Sequence, residues 1–318
     1  MYELLCSPHL LGHRPPTADR APRAAGRATP RPGRTAGRLA VAATVALAAV
    51  GLGAGVARAD RAHHDVLTIT ATDFRLTAPA TAPAGRTDVR LVNRGSEGHQ
   101  AALVRLKDGH TAGDFLGALS TSFGASRRHG AFVGGPNAAA PGHTAVATTT
   151  LRAGHYLVVC LIPSANDGTP HVMKGMLTEL DVVGRTQPSA ARPAPVIVTH
   201  EYHFGFPAAA RQALAAGREV EVRNAGSQIH EVVVARLKPG ATVSDVAHWA
   251  DHPIGTAATG PVPDEEIAGV TELAPGGRAR MHADLRPGRY ALLCFLPDDA
   301  HPGTSHLHQG MAYPFTVR

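Results

Sequence analysis

The stretch GHYLVVCLIPSANDGTPHVMKGM, residues 154–176, decides how this chain is read. It carries Tyr156, then Cys160, then His171 and Met176. Residues 288–311, GRYALLCFLPDDAHPGTSHLHQGM, repeat it with Tyr290, Cys294, His306 and Met311 in the same places. Two copies of Tyr-x-x-x-Cys-x-x-Pro followed by His-x-x-x-Gly-Met are hard to obtain by chance. A thiolate, an imidazole and a thioether gathered at a strand end are soft ligands suited to copper. One further ligand is needed for each set, and His99 or His230 upstream can supply it.

The repeat extends outward from there. VLTITATDF (66–74) matches VIVTHEYHF (196–204), and both alternate as half-buried strands do. GRTDVRLVNRGSEGH (85–99) matches GREVEVRNAGSQIH (217–230), each a strand ending in an Asn-x-Gly turn where Gly or Asn would supply positive φ. AALVRLKDG (101–109) matches VVVARLKPG (232–240). Thr111 and Thr242 then cap predicted short helices over 114–119 and 245–249. GGPN (134–137) has no clean counterpart and reads only as a turn. Strands resume at 145–151 and 278–285. The expected fold is all-β: two tandem antiparallel Greek-key β-sandwiches, each with one short helix. The expected domains are 60–183 and 196–318, joined by a Pro-, Gly- and Ser-containing linker at 184–195. Tyr156 and Tyr290 resemble the tyrosine corner that pins such sandwiches, a structural role.

A His, a distant Cys and His-x-x-x-x-Met closely resemble the type 1 copper site of the cupredoxins, the plastocyanin and azurin family. The resemblance covers both repeats. Carried over by position, it implies that His99, Cys160 and His171 form a trigonal set with Met176 as a weak axial ligand. His230, Cys294, His306 and Met311 form the second set. It also implies up to two type 1 coppers per chain and a redox partner protein in the cell envelope, or a copper donor or acceptor there. One feature departs from the family: ten residues separate Cys160 from His171 and eleven separate Cys294 from His306, where familiar members have only a few. These loops must fold back, and Asn166, Asp167, Gly168, Pro302 and Gly303 are turn-formers able to do it. Without that return, Met173, His308 or His301 would compete as ligands.

Residues 39–57 are an apolar run preceded by arginines and followed by Ala57-Arg58-Ala59. This reads as a secretory signal peptide cut before Asp60, making 1–59 a basic leader; the other reading is an uncleaved membrane anchor. The chain is therefore expected to be exported, extracellular or in the cell envelope. Eight of its 31 basic and two of its 25 acidic residues precede Asp60. The remainder is balanced, so the high pI is no argument for nucleic acid. Two cysteines are left after cleavage. Their equivalent positions argue for one ligand role in each copy rather than a mutual disulfide.

Three functions compete. The first is an electron-transfer or copper-carrying module. The second is a multicopper oxidase or nitrite reductase-like enzyme. In those families histidines adjoin the cysteine, whereas here its neighbours are Val159, Leu161, Leu293 and Phe295. The expectation is therefore no enzyme. The third is a copper-free structural or interaction module.

Overall fold

Alternation along the sequence becomes alternation of burial. In β1 (Asp65–Thr72) Leu67, Ile69 and Ala71 are buried while Val66, Thr68 and Thr72 face outward. A strand places successive side chains on opposite faces, so this period pins one face to a core. The structure is a computed structural model and describes residues 65–186, 193–251 and 264–318. The expected leader and its apolar run lie outside the described residues. Among the described residues, no helix is long and apolar enough to cross a membrane.

The first half continues with β2 (Arg75–Thr77), β3 (Thr81–Pro83), β4 (Gly85–Asn93), β5 (Ala102–Leu106), α1 (Ala112–Leu119), α2 (Phe123–Ser126), β6 (Gly130–Phe132), β7 (Thr144–Leu151), β8 (Gly154–Val159) and β9 (Leu177–Val183). The second half holds β10 (Val196–His200), β11 (His203–Gly205), α3 (Ala208–Ala215), β12 (Val220–Asn224), β13 (His230–Leu237), α4 (Val243–Ala250), β14 (Asp264–Leu273), β15 (Arg278–Met281), β16 (Gly288–Leu293) and β17 (Ala312–Val317). The all-β, two-sandwich architecture is the expected one. In the first half β2-β1-β4-β7 packs over β3-β9-β8-β5-β6; in the second, β11-β10-β12-β15 packs over β14-β13-β16-β17. Both threonine-capped helices form, each with a reciprocal capping box, Thr111 with Asp114 and Thr242 with Asp245.

Three details depart from the sequence reading. Pairing is mixed rather than purely antiparallel: β1 runs parallel to β4, β10 to β12 and β3 to β9. In the first half β3 carries the chain across to the opposite sheet, so β4 returns in the direction of β1. Each half also has a second helix, α2 or α3, which the repeat could not reveal because the copies differ there. Finally, the outer sheets of the two halves are one sheet. β7 pairs with β15 through Ala147–Met281 and Thr148–Arg280, giving eight strands in series.

The unmatched GGPN segment belongs to the same junction. Val133 bridges Leu273 and Pro136 bridges Val270, so residues 133–136 run beside β14 of the other half. On its other side, Ala101 donates its amide to Pro136 O and Leu103 to Gly134 O. Gly134 has φ +82, a conformation that L side chains adopt rarely. One apolar cluster runs through both halves, from Phe115, Phe132 and Leu157 to Val234, Leu292 and Phe315.

Tyr156 and Tyr290 act as sandwich pins. Their hydroxyls donate to Arg152 O at 2.9 Å and Arg286 O at 2.7 Å, and both rings are buried.

Candidate metal centres

Each centre is assembled from three elements of one sandwich. In the first half His99 lies in the loop between β4 and β5, Cys160 directly follows β8, and His171 opens the 3-10 turn His171–Lys174. The long loop between Cys160 and His171 does return. Pro163 bridges Pro170, Ser164 N donates to Thr169 O, and His171 N donates to Ile162 O at 2.9 Å. The second loop closes in the same way, with Pro297 bridging Ser305 and His306 N donating to Leu296 O at 2.8 Å. Met176 and Met311 are fully buried, and their amides donate to the His171 and His306 carbonyls.

Three ligand atoms converge in each half, one each from His99, Cys160 and His171, and one each from His230, Cys294 and His306. All lie within 4.8 Å of one another and all six residues are buried. Nδ1 of His99 faces Nδ1 of His171 at 3.1 Å, and Cys160 Sγ lies 3.4 Å from that His171 nitrogen. The second half repeats both values, 3.1 Å between His230 and His306 and 3.4 Å from Cys294 Sγ to His306 Nδ1. Tetrahedral N/S metal shells with bonds of about 2.0 to 2.3 Å have ligand–ligand edges of about 3.3 to 3.8 Å, so the observed spacings lie close to such a shell, with the nitrogen pair slightly tight. Cys160 and Cys294 are free thiols, not a disulfide.

The outer nitrogens show what the inner ones must be. His99 Nε2 sits 2.7 Å from Asp73 Oδ1, and His171 Nε2 sits 3.1 Å from Glu97 Oε2. A carboxylate accepts, so in the neutral imidazoles each Nε2 carries the hydrogen and each Nδ1 presents a lone pair. Two lone pairs facing across 3.1 Å repel each other unless a cation lies between them. The donor set therefore fits a soft or borderline metal ion, with carboxylates orienting the imidazoles as in many metal sites.

The thiols agree. Burial pushes the Cys160 thiol up to about 12 and Cys294 well above its ordinary value. A bound cation reverses that bias by stabilising the thiolate. Gln100 N donates to Cys160 Sγ at 3.4 Å. Burial lowers His171, His306 and His230, the last to about 3, so these imidazoles stay neutral and able to bind metal. Hydrogen bonds from the Ala165 amide and His171 hold Glu97 below the usual carboxylate value, against its burial.

The two centres differ in their outer partners. Gln228 Oε1 replaces Glu97 at 3.3 Å from His306 Nε2, and Gln228 in turn donates to Asp298 at 2.9 Å. His230 Nε2 has no partner among the described residues. The sequence reading missed Asp73, Glu97 and Gln228. The last two were visible as the variable position in Gly-Ser-Glu-Gly-His and Gly-Ser-Gln-Ile-His. The rival ligands stand apart: Met173 is exposed, His301 bonds Asp298 at 2.7 Å, and His308 pairs with Asp251 at 2.7 Å.

The Asn-x-Gly turns serve a different purpose from the one expected. Neither Gly95 nor Gly226 has a positive φ. A Cβ on Gly95 would meet His99 Nε2 at 2.6 Å and strike Asp73, and one on Gly226 would meet His230 Nε2 at 2.8 Å. Glycine is needed for close approach to the imidazole. Asn93 and Asn224 pin the same loops, each accepting from the Gly amide at 2.8 Å and donating to two carbonyls.

No family model matches the chain, and no curated protein matches it. Among solved structures, it is similar to auracyanin A, a blue copper protein of Chloroflexus aurantiacus, at 20% identity over 38% of this chain and 100% of that one, with a TM-score of 0.28. A reduced auracyanin from Roseiflexus castenholzii is 24% identical over 41% and 99%, with a TM-score of 0.25. A copper nitrite reductase of Nitrosomonas europaea is 11% identical over 80% and 94%, with a TM-score of 0.21. At such identities and scores the chemistry has to be read from the residues themselves.

Proposed function

We propose that this chain is an exported cupredoxin-like protein with one type 1 copper site in each half, serving single-electron transfer or copper carriage. Residues 60–183 and 196–318 are its two domains and 184–195 the linker. His99, Cys160 and His171 hold the first copper with Met176 as axial ligand; His230, Cys294, His306 and Met311 hold the second. The observation that carries the reading is the paired Nδ1–Nδ1 contact of 3.1 Å beside a buried thiol, repeated in both halves.

Copper bound there would supply a one-electron couple tuned by thiolate and imidazole. The residues do the rest by staying still. Cys160 and Cys294 are fixed at strand ends, and the imidazoles are held by loop hydrogen bonds and full burial. Burial excludes water from the inner ligand shell. In the first site Asp73 and Glu97 hold the outer imidazole hydrogens, which keeps both Nδ1 atoms available as donors. The Gln100 amide disperses charge on the sulfur. A redox partner protein of the cell envelope, or a copper donor or acceptor there, would exchange with these sites.

The test is to add Cu(II) to the purified protein and record its visible spectrum with its copper content. An intense blue charge-transfer band with about two coppers per chain is the expected result. A colourless protein that takes up neither Cu(II) nor Cu(I) would overturn the proposal.

A further inference from the structure

A cavity of about 680 Å³ is walled by both halves of the chain. Its apolar sides come from Leu116 and Leu119 of α1, from Trp249 of α4, and from Leu161 and Phe295, the residues directly after the two cysteines. That volume lies in the range of small-molecule sites, which favour the seams between domains. Its charge is one-sided. Glu97, Glu231, Glu266 and Glu272 line it, and no lysine, arginine or histidine does among the described residues.

Two of these carboxyls are deeply placed. Glu231 accepts from Phe295 N at 2.9 Å and from Asn137 Nδ2 at 3.1 Å. Glu272 accepts from Gln100 Nε2 at 3.0 Å through Oε1, while its Oε2 has no hydrogen-bond partner among the described residues. Both are almost wholly buried. Buried like charges without a cation are costly, and one positive group placed beside them removes much of that cost.

We propose that this cavity binds a small amphipathic amine, with its ammonium group at the Glu231–Glu272 end and its apolar body against α1 and α4. The amine brings the hydrogen-bond donor that Glu272 Oε2 lacks and the charge that the two carboxyls lack. Binding needs no metal. Through Leu161 and Phe295 the occupant lies alongside both cysteine strands.

The experiment uses the full chain without metal, so it is independent of copper loading. The probe is 4-bromophenethylamine, and the comparison is 1-bromo-4-ethylbenzene, which lacks the amine. Bromine quenches tryptophan emission, and Trp249 is the single tryptophan of the chain. Saturable quenching is expected, with the amine binding at least about tenfold tighter, as one charge-assisted hydrogen bond would give. Glu272→Gln should bring the two probes within about twofold of each other, since one charged bond is lost. Ala138→Phe, which fills the cavity, should remove quenching by both. Anomalous bromine density in the wild-type protein should lie in the cavity, which keeps the test open if a variant fails to fold. Absent quenching, equal affinities in the wild type, or bromine located elsewhere would overturn the proposal.

Discussion

His99 and His171 face each other through their Nδ1 atoms at 3.1 Å while Asp73 and Glu97 hold their Nε2 atoms from behind. Each carboxylate fixes a tautomer, and the two fixed tautomers aim lone pairs at one point. The second centre keeps the inner contact, with Gln228 behind His306 and no partner for His230 Nε2 among the described residues. The inner geometry is repeated and the outer support is not.

That difference sets the first prediction. Glu97→Ala should weaken metal binding at the first site by about 10- to 100-fold, the usual loss for an orienting partner. Gln228→Ala should cost the second site less, because a neutral amide bond is worth less than a charge-assisted one. Competition titrations with a copper chelator on the two variants would rank them. Equal losses would mean that the carboxylate adds nothing beyond packing.

Cys160→Ser should remove one of two coppers and about half of the blue absorbance. A buried hydroxyl is a poor replacement for a thiolate, which supplies the strong covalent ligand. The apolar core runs through both halves, so thermal unfolding should be followed alongside. Loss of both coppers with unchanged unfolding would show that the sites are not independent.

Much of this was legible in the sequence, because a repeat shows which residues recur. His99 and His230, Cys160 and Cys294, His171 and His306 stand at matching positions, and the structure brings each set of three together. What stayed hidden depends on contacts distant in sequence. Asp73 reaches His99 across a turn between strands, while the linear match sets His203 opposite it. GGPN looked like a bare turn because its partners, Gly269 and Val270, belong to the other copy. The shared eight-stranded sheet joins β7 to β15 across more than a hundred residues, and no local pattern marks that pairing. The glycines at 95 and 226 were rightly singled out, but for a dihedral rather than for the imidazole beside them.

The glycine finding gives a paired test. Gly95→Ala should disturb the first site, since its Cβ would meet His99 Nε2 at 2.6 Å and strike Asp73. Gly98→Ala, in the same loop, has nothing within 4 Å of the new Cβ and should bind copper like the wild type. Copper content and the blue band of both variants would check this. Similar behaviour of the two would show that the loop yields freely around His99.

The buried carboxyls make stability depend on pH in a definite direction. Glu272 is raised in the folded state by burial and by the charge of Glu231. A raised group stabilises the fold fully below its unfolded value, about 4.3 for glutamate, and that contribution is lost as pH rises through the folded value. Glutamine copies the protonated form and keeps an acceptor for Gln100 Nε2. Glu272→Gln should therefore raise the unfolding midpoint in alkaline buffer, with the gain shrinking toward zero as pH approaches 4. The imidazoles act with the opposite sign. His230 is lowered to about 3, so its contribution is present above about 6.5 and is lost as pH falls toward 3. Following the difference between variant and wild type isolates the carboxyl, because the imidazoles are common to both. Denaturant melts of the metal-free proteins at several pH values would measure it. A gain independent of pH would assign the effect to packing instead of charge.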